Sequence, residues 1–477
     1  RAQSVMAEGG INAALNTKDE NDSPEEHFTD TIKAACGLAD PNAVWGMTQA
    51  APELVHWLLK LGVKFNMSGY DDVDLRNFGG QKKKRTAFAQ SDTGKQIMTA
   101  MIDAVRRKEA SGMVERFSHH SFLTLRLCDN ICCGCVIRDE YSQETVELPG
   151  DAVIVATGGM HGLFGNTTGS LSNTGEVTAE LFRLGVPLAN GEMIQYHPTT
   201  VKCGGKRMLI SEAARGEGGR LFAMKDGKQW YFMEEKYPEL GNLMPRDITA
   251  REIWKVSHES EVFLDMTEIS EEIISNKLSG LADDCMTYLH KDIRKEPVSV
   301  LPGIHYFMGG ILVDEQHRTP IQNLYAAGEC CAQYHGANRL GGNSLLGALY
   351  GGRVAAKSAC EQADVVDLSC ATQIDFPPAS QISEIKQLNK VMQETMGVVR
   401  NENTLLNGIQ TVQALTGNLP LLGMAVLKSA LARKESRGAH WREDYPKSND
   451  DDYLKTTVAR FDGKQIQISF VPVPERR

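Results

Sequence analysis

The sequence predicts an α/β fold with an inserted α+β segment and an all-helical C-terminal region. Three observations predict it. First, the apolar, β-branched run Asp151-Ala-Val-Ile-Val-Ala-Thr-Gly-Gly159 ends on glycines, and Leu324-Tyr-Ala-Ala-Gly-Glu329 repeats the pattern. Buried parallel strands read this way where they end beside a ligand. Second, the texture between Gly191 and His305 changes to polar loops and short strands, with charged helices near Ile248–His258 and Ser270–Lys277. Third, helical periodicity runs from Glu384 to Lys434.

The elements follow in order. Ser4 to Leu15 opens on a Gly9-Gly10 turn. Helical periodicity covers Pro24–Leu38 and Ala43–Leu61, where Leu54, Leu58 and Leu61 share a face. A loop rich in Gly and Lys, Asn77–Lys84, precedes a helix over Gly94–Ala110. Two or three strands occupy Val114–Leu148, and Cys132-Cys133-Gly134-Cys135 falls in a β-hairpin between Leu125-Arg126-Leu127 and Val136-Ile137. Asp364–Ser383, with Pro377-Pro378, is a poorly periodic connector. The tail Val458–Val473 alternates Ile466, Ile468 and Phe470, which predicts a strand.

Bulk properties bound the function. At 477 residues the chain needs two or three packed domains. The 51 basic and 61 acidic side chains give a net charge of -10, which argues against nucleic-acid binding. No uninterrupted apolar run reaches membrane-spanning length, so membrane attachment would come through a partner. Eleven scattered cysteines are no disulfide scaffold. The single C-x-x-C pair has no second pair to complete a zinc or iron–sulfur site, so no metal is expected and the thiols read as buried strand residues.

Four segments carry chemistry. In His335-Gly-Ala-Asn-Arg-Leu-Gly-Gly-Asn-Ser-Leu345 the glycines allow close backbone approach to a ligand. The run Leu345–Ala356 reads as a helix, so Asn343, Ser344 and Leu345 stand at an N-terminus suited to an electron-rich ring edge or an anion. Arg339 can hold a carboxylate through two parallel hydrogen bonds. Gln195-Tyr196-His197-Pro198-Thr199 precedes Ser211-Glu212-Ala-Ala-Arg215, where Glu212 and Arg215 can pair on one helical turn. Pro245-Arg246-Asp247 and His305-Tyr306-Phe307-Met308-Gly309-Gly310 complete the set.

Together these segments closely resemble the flavoprotein subunits of succinate dehydrogenase and fumarate reductase, with the related L-aspartate oxidases and soluble fumarate reductases. The resemblance extends through Glu435-Ser-Arg-Gly-Ala-His440-Trp-Arg-Glu-Asp-Tyr-Pro446. It implies a Rossmann-like FAD-binding domain over 1–190 and 306–370, a capping substrate domain over 191–305, a helical domain over 380–450 and an extension over 451–477. His197, Ser211, His305 and Arg339 fall where the family binds substrate carboxylates, with Phe78 in the loop near the substrate. Arg246 falls on the proton-transfer residue, with Glu212 and Arg215 as its relay. Ser4, Ala7, Glu8, Gly9, Gly10, Ala156, Thr157, Gly158, Glu329, Ser344 and Leu345 match FAD contacts. Glu176 stands where the family has an aspartate facing the flavin. The implied reaction is hydride transfer between flavin N5 and a small C4 dicarboxylate, fumarate or succinate. The implied partner is an iron–sulfur subunit and, through it, a membrane anchor. The chain would then sit peripherally on the cytoplasmic side, and be soluble without partners.

Two departures shape these expectations. Covalent members carry a histidine in an Arg-Ser-His-Thr string; here the string is Arg1-Ala2-Gln3-Ser4. Glutamine forms no bond to the flavin, so noncovalent FAD and a bias toward fumarate reduction are expected. The family also begins with a strand and a G-x-G-x-x-G turn that would precede Arg1, and a chain starting at Arg1 is expected to bind FAD poorly.

Two alternatives remain. L-Aspartate oxidases resemble this chain but carry an acidic residue where Phe78 precedes Gly79-Gly80. A non-catalytic electron-transfer or assembly subunit would lose the basic substrate residues, and all are present.

Overall fold

The computed structural model describes residues 2–69, 71–365, 374, 376 and 381–477. Val153–Val155 and Leu324–Ala326 pair in parallel, Leu324 opposite Val153 and Ala326 opposite Val155. Both strands therefore end at the same edge, where their glycines follow. An antiparallel sheet of His120–Cys128, Ile131–Asp139 and Thr145–Pro149 lies beside them. Leu125, Cys132, Val155, Leu181, Ile311 and Leu324 share one apolar core. Cys132 and Cys133 are buried in that hairpin, and burial pushes the Cys132 thiol up to about 12.

The helix Pro41–Leu61 starts where Asp40 accepts hydrogen bonds from the Asn42 and Ala43 N–H groups, with Pro41 at its first position. It stops at Gly62, whose φ is 101°. Leu54 and Leu58 pack with Ile11, Leu345 and Leu346 beneath the start of helix Asn343–Gln362. The first helix is shorter than its periodicity, Pro24–Ala34, because Cys36 and Gly37 adopt positive φ.

The inserted segment has its own core, including Ile210, Leu221, Phe232, Ile253, Leu264 and Leu281. Phe78, from the Asn77–Lys84 loop, packs into that core. The four-stranded sheet here contains Arg220–Lys225, Lys228–Trp230, Val262–Asp265 and Val298–Ser299. Two long antiparallel strands, Ile194–Cys203 and Leu301–Phe307, connect the segment to the rest of the chain. Their register shifts between Ile304 and Tyr306. His305 occupies that bulge, a device that re-aims a side chain.

Three helices, Ile382–Thr395, Glu402–Val412 and Asn418–Ala432, share a core with Leu163, Phe164, Phe182 and Leu188. The expected connector with Pro377-Pro378 lies mostly outside the described residues, and Ile382 and Ser383 already belong to the first of these helices. The tail corrects the single-strand expectation: Lys455–Phe461 and Ile466–Pro472 form a hairpin. Asp462 Oδ1 accepts from the Lys464 and Gln465 N–H groups, and Gly463 takes φ 87°, so the chain reverses in the middle of the run. Val458 pairs with Ala189, adding this hairpin to a five-stranded sheet. The Glu435–Pro446 segment locks the join. Arg433 and Glu192, both fully buried, meet at 2.8 Å, and Arg433 also reaches Glu435 at 2.7 Å.

Candidate active site

A cavity of about 230 Å³ opens where the parallel strands, the Ser4–Gly10 turn, the inserted segment and the start of helix Asn343–Gln362 meet. Gly342 caps that helix with φ 84°. A Cβ there would stand 2.1 Å from Asn12 Oδ1. Asn12 Nδ2 donates to the Gly341 carbonyl at 2.7 Å, and Gln81 Nε2 donates to the same carbonyl at 3.0 Å. The turn is thus held from behind, while Ser344 and Leu345 line the cavity in a helical first turn whose N–H groups lack intrahelical acceptors.

The opposite wall is Gln3 to Gly10. Arg76 secures it by donating from Nε to the Gly9 carbonyl and from Nη2 to the Glu8 carbonyl, both at 2.9 Å. Glu8 Oε2 is buried and has no hydrogen-bond partner among the described residues. Burial, with Asp284 adding to it and Arg76 opposing, pushes the Glu8 carboxyl up to about 8. Glu329 Oε1 accepts from the Phe307 N–H at 3.1 Å and lies 3.4 Å from His161 Nε2. Gln3 Oε1 accepts from the Ser170 N–H at 2.8 Å. Ala156 and Gly158 complete this side. Thr157 and Glu176 are exposed and lie off the cavity wall.

The other half of the cavity is cationic. Arg246, at the first turn of helix Arg246–Val256, donates to Glu212 Oε2 from Nε at 2.9 Å and from Nη2 at 2.7 Å. Glu212 Oε1 accepts from Arg215 Nη2 at 3.3 Å. The three side chains are buried. Ser211 caps their short helix by accepting from the Ala213 N–H, which places Glu212 and Arg215 on one turn. Burial works to raise the Glu212 carboxyl, but Arg246 and Arg215 bring it below the usual range. Burial lowers Arg215, and Arg246 adds to that effect against the attraction of Glu212.

Arg339 is buried, and its guanidinium carbon stands 4.3 Å over the Tyr306 ring. Burial and the nearby Arg246 charge bring it down to about 9, and its Nε has no partner among the described residues. Gly303 pairs with His197 across the strands, and the bulge one turn of register away turns His305 beside it; the two rings are 5.1 Å apart. Burial and Arg246 hold both histidines well below 6.5, so they stand neutral. Thr168 Oγ1 meets His305 Nδ1 at 2.8 Å. A buried pocket with unpaired guanidinium N–H groups and excess positive charge suits a small dianion.

The structure thus brings His197, Ser211, Glu212, Arg246, His305, Arg339 and Phe78 to one cavity, with Arg215 one step behind Glu212. Several contributors carry little signal along the chain. Gln195, Tyr306, Thr168 and Arg76 act through partners far away in sequence. The QYHPT and HYF strings contain two of them, but nothing local says that Gln195 reaches Arg246.

The chain is similar to known proteins over nearly its whole length. Residues 1–345 match the FAD binding domain model, and residues 415–476 match the fumarate reductase flavoprotein C-terminal model. The chain is 37% identical to the succinate dehydrogenase flavoprotein subunit of Bacillus subtilis, covering 100% of this chain and 92% of that protein. It is 31% identical to the 8-methylmenaquinol:fumarate reductase flavoprotein subunit of Wolinella succinogenes, over 100% and 86% of the two chains. Among solved structures, E. coli quinol fumarate reductase superposes with a TM-score of 0.89 at 27% identity, covering 99% of this chain and 90% of that one.

Proposed function

Because the chain belongs to the family of succinate dehydrogenase and fumarate reductase flavoprotein subunits, which are FAD-dependent oxidoreductases, we propose that it reduces fumarate to succinate, with Arg246 as the proton donor. When bound, reduced FAD would supply a hydride from N5. The cavity suits it: the helix start at Ser344 and Leu345 favours an electron-rich ring edge, and the glycine turns let the ring approach the backbone.

The side chains do the rest. Arg339 and the neutral His197 and His305 hold the two carboxylates and set the alkene across the cavity. Arg246 would deliver a proton to the alkene carbon opposite the one that receives hydride. Arginine is an unusual acid, because its free pKa is above ~12. Glu212 makes the step workable: it touches both Arg246 and Arg215, so a proton leaving Arg246 is replaced through the carboxylate. Residues 191–305 act as the cap that keeps water from the reacting atoms.

Gln3 lines the cavity with an amide that cannot form a covalent bond to a flavin, so FAD would be held noncovalently. That leaves the reduced cofactor the stronger reductant and favours the fumarate-reducing direction. Electrons arrive from a separate iron–sulfur subunit, through which the chain attaches peripherally to a membrane. Among the described residues no helix is long and apolar enough to cross one.

The buried Arg246–Glu212–Arg215 chain at the cavity is the observation that carries this reading. Anaerobic, fumarate-dependent oxidation of a reduced dye tests it. Turnover is expected with the native chain and loss by ~10³-fold or more in Arg246→Ala. Absence of turnover in FAD-saturated native protein refutes it. Acid denaturation tests the attachment: free flavin in the supernatant is expected, and flavin retained on the chain refutes noncovalent binding.

A further inference from the structure

Gln195 is fully buried behind the cavity wall. Its Oε1 accepts from Arg246 Nη1 at 3.1 Å. Its Nε2 donates to the Arg339 backbone carbonyl at 2.8 Å and to Asn338 Oδ1 at 2.9 Å. Asn338 Nδ2 donates in turn to Asp247 Oδ1 at 3.1 Å. The contacts close a ring: Gln195 to Arg246, along the chain to Asp247, across to Asn338, along to Arg339, and back to Gln195.

We infer that Gln195 is the positioning residue that holds Arg246 and Arg339 in one register, and that its neutral amide preserves the acidity of Arg246. The inference rests on the function proposed above. Glu212 alone does not orient Arg246, because both Nε and Nη2 converge on the one oxygen, Oε2. A guanidinium held at one atom can pivot about it. The Nη1 contact to Gln195 supplies the second fixed point. Three of the five N–H groups are then committed, which leaves one on each terminal nitrogen for the substrate side. The Arg339 backbone is tied to the same amide, so the carboxylate clamp and the proton donor cannot shift independently.

Charge supplies the second half of the inference. Among the described residues Arg246 forms one ion pair, with Glu212, which it shares with Arg215. A carboxylate at position 195 would give it another, and a close opposite charge favours the protonated guanidinium over proton release. A carboxylate would also turn two hydrogen bonds into repulsions, since the Arg339 carbonyl and Asn338 Oδ1 both need a donor.

The test uses the FAD-loaded protein carrying Gln195→Met or Gln195→Glu, assayed anaerobically with reduced dye and fumarate in H2O and D2O. In Gln195→Met, kcat is expected to fall ~10- to 100-fold with KM for fumarate moving less than ~3-fold, and the solvent isotope effect on kcat to rise as proton transfer becomes limiting. In Gln195→Glu the loss is larger, and activity recovers as pH falls and the introduced carboxyl takes up a proton. The bound-flavin spectrum stays unchanged in both. A native kcat and isotope effect in Gln195→Met overturns the inference. So does a kcat loss that merely tracks FAD loss with the isotope effect unmoved, or a Gln195→Glu rate that does not recover in acid. Failure of the native chain to reduce fumarate overturns the proposed function instead, so the two failures are distinguishable.

Discussion

Arg246 and Glu212 meet through one carboxylate oxygen, Oε2, at 2.9 Å from Nε and 2.7 Å from Nη2, while the other oxygen is left to Arg215. One carboxylate therefore bridges two buried guanidinium groups. Glu212→Gln removes the negative charge but keeps the size. We expect kcat for fumarate reduction to fall ~10²-fold or more, because the proton lost by Arg246 is no longer returned through an anion. Anaerobic steady-state assays with flavin content measured in parallel check this; a kcat within ~3-fold of native contradicts the relay.

Arg339 combines a ring contact with Tyr306 and an unpartnered Nε. Arg339→Lys keeps a charge but loses the planar fork that matches a carboxylate. KM for fumarate is expected to rise ~10-fold or more, with dicarboxylate binding to the oxidised protein weakened to match in difference spectra. Unchanged binding would move the clamp to other residues.

Glu8 makes stability depend on pH. Its carboxyl is raised by burial, with Asp284 adding and Arg76 opposing, to about 8 in the folded protein. Between an ordinary carboxyl value and about 8, the folded state holds a proton that the unfolded state has released. The stabilisation is thus full below the ordinary carboxyl range, declines from there as pH rises, and is lost above about 8. Glu8→Gln should flatten this dependence, with a gain on the order of a few kcal/mol at pH 9 relative to native. Denaturant unfolding of the FAD-free protein from pH 5 to pH 9 measures it; parallel curves for the two proteins would exclude Glu8 as the cause.

Arg433 ties the helical region to the strand that carries the site, through Glu192, Glu435 and the Thr457 hydroxyl. Arg433→Ala leaves the buried Glu192 carboxylate with only the Thr457 hydroxyl, while Glu435 keeps Arg437. A loss of ~3–5 kcal/mol is expected, seen as a lower Tm. Native stability in that variant would mean that Arg433 does not hold the join.

The sequence by itself determined much of this protein. Strands ending on glycine, the helix after Asn343, and the Glu212–Arg215 spacing are local patterns, and backbone geometry alone places their side chains. It did not show the tail hairpin in advance: alternation read as one strand while a turn at Asp462–Gly463 divided it. Nor does the Glu212–Arg215 spacing show that both side chains are buried. Only the tertiary structure decided what surrounds them. The bulge that turns His305 toward His197 depends on the register of strands about a hundred residues apart in the chain. The amide of Gln195 joins Arg246 to Arg339 across three segments that no spacing rule relates. Contacts of this kind are set by burial and by the need to satisfy every buried donor and acceptor, conditions that exist only once the chain has packed.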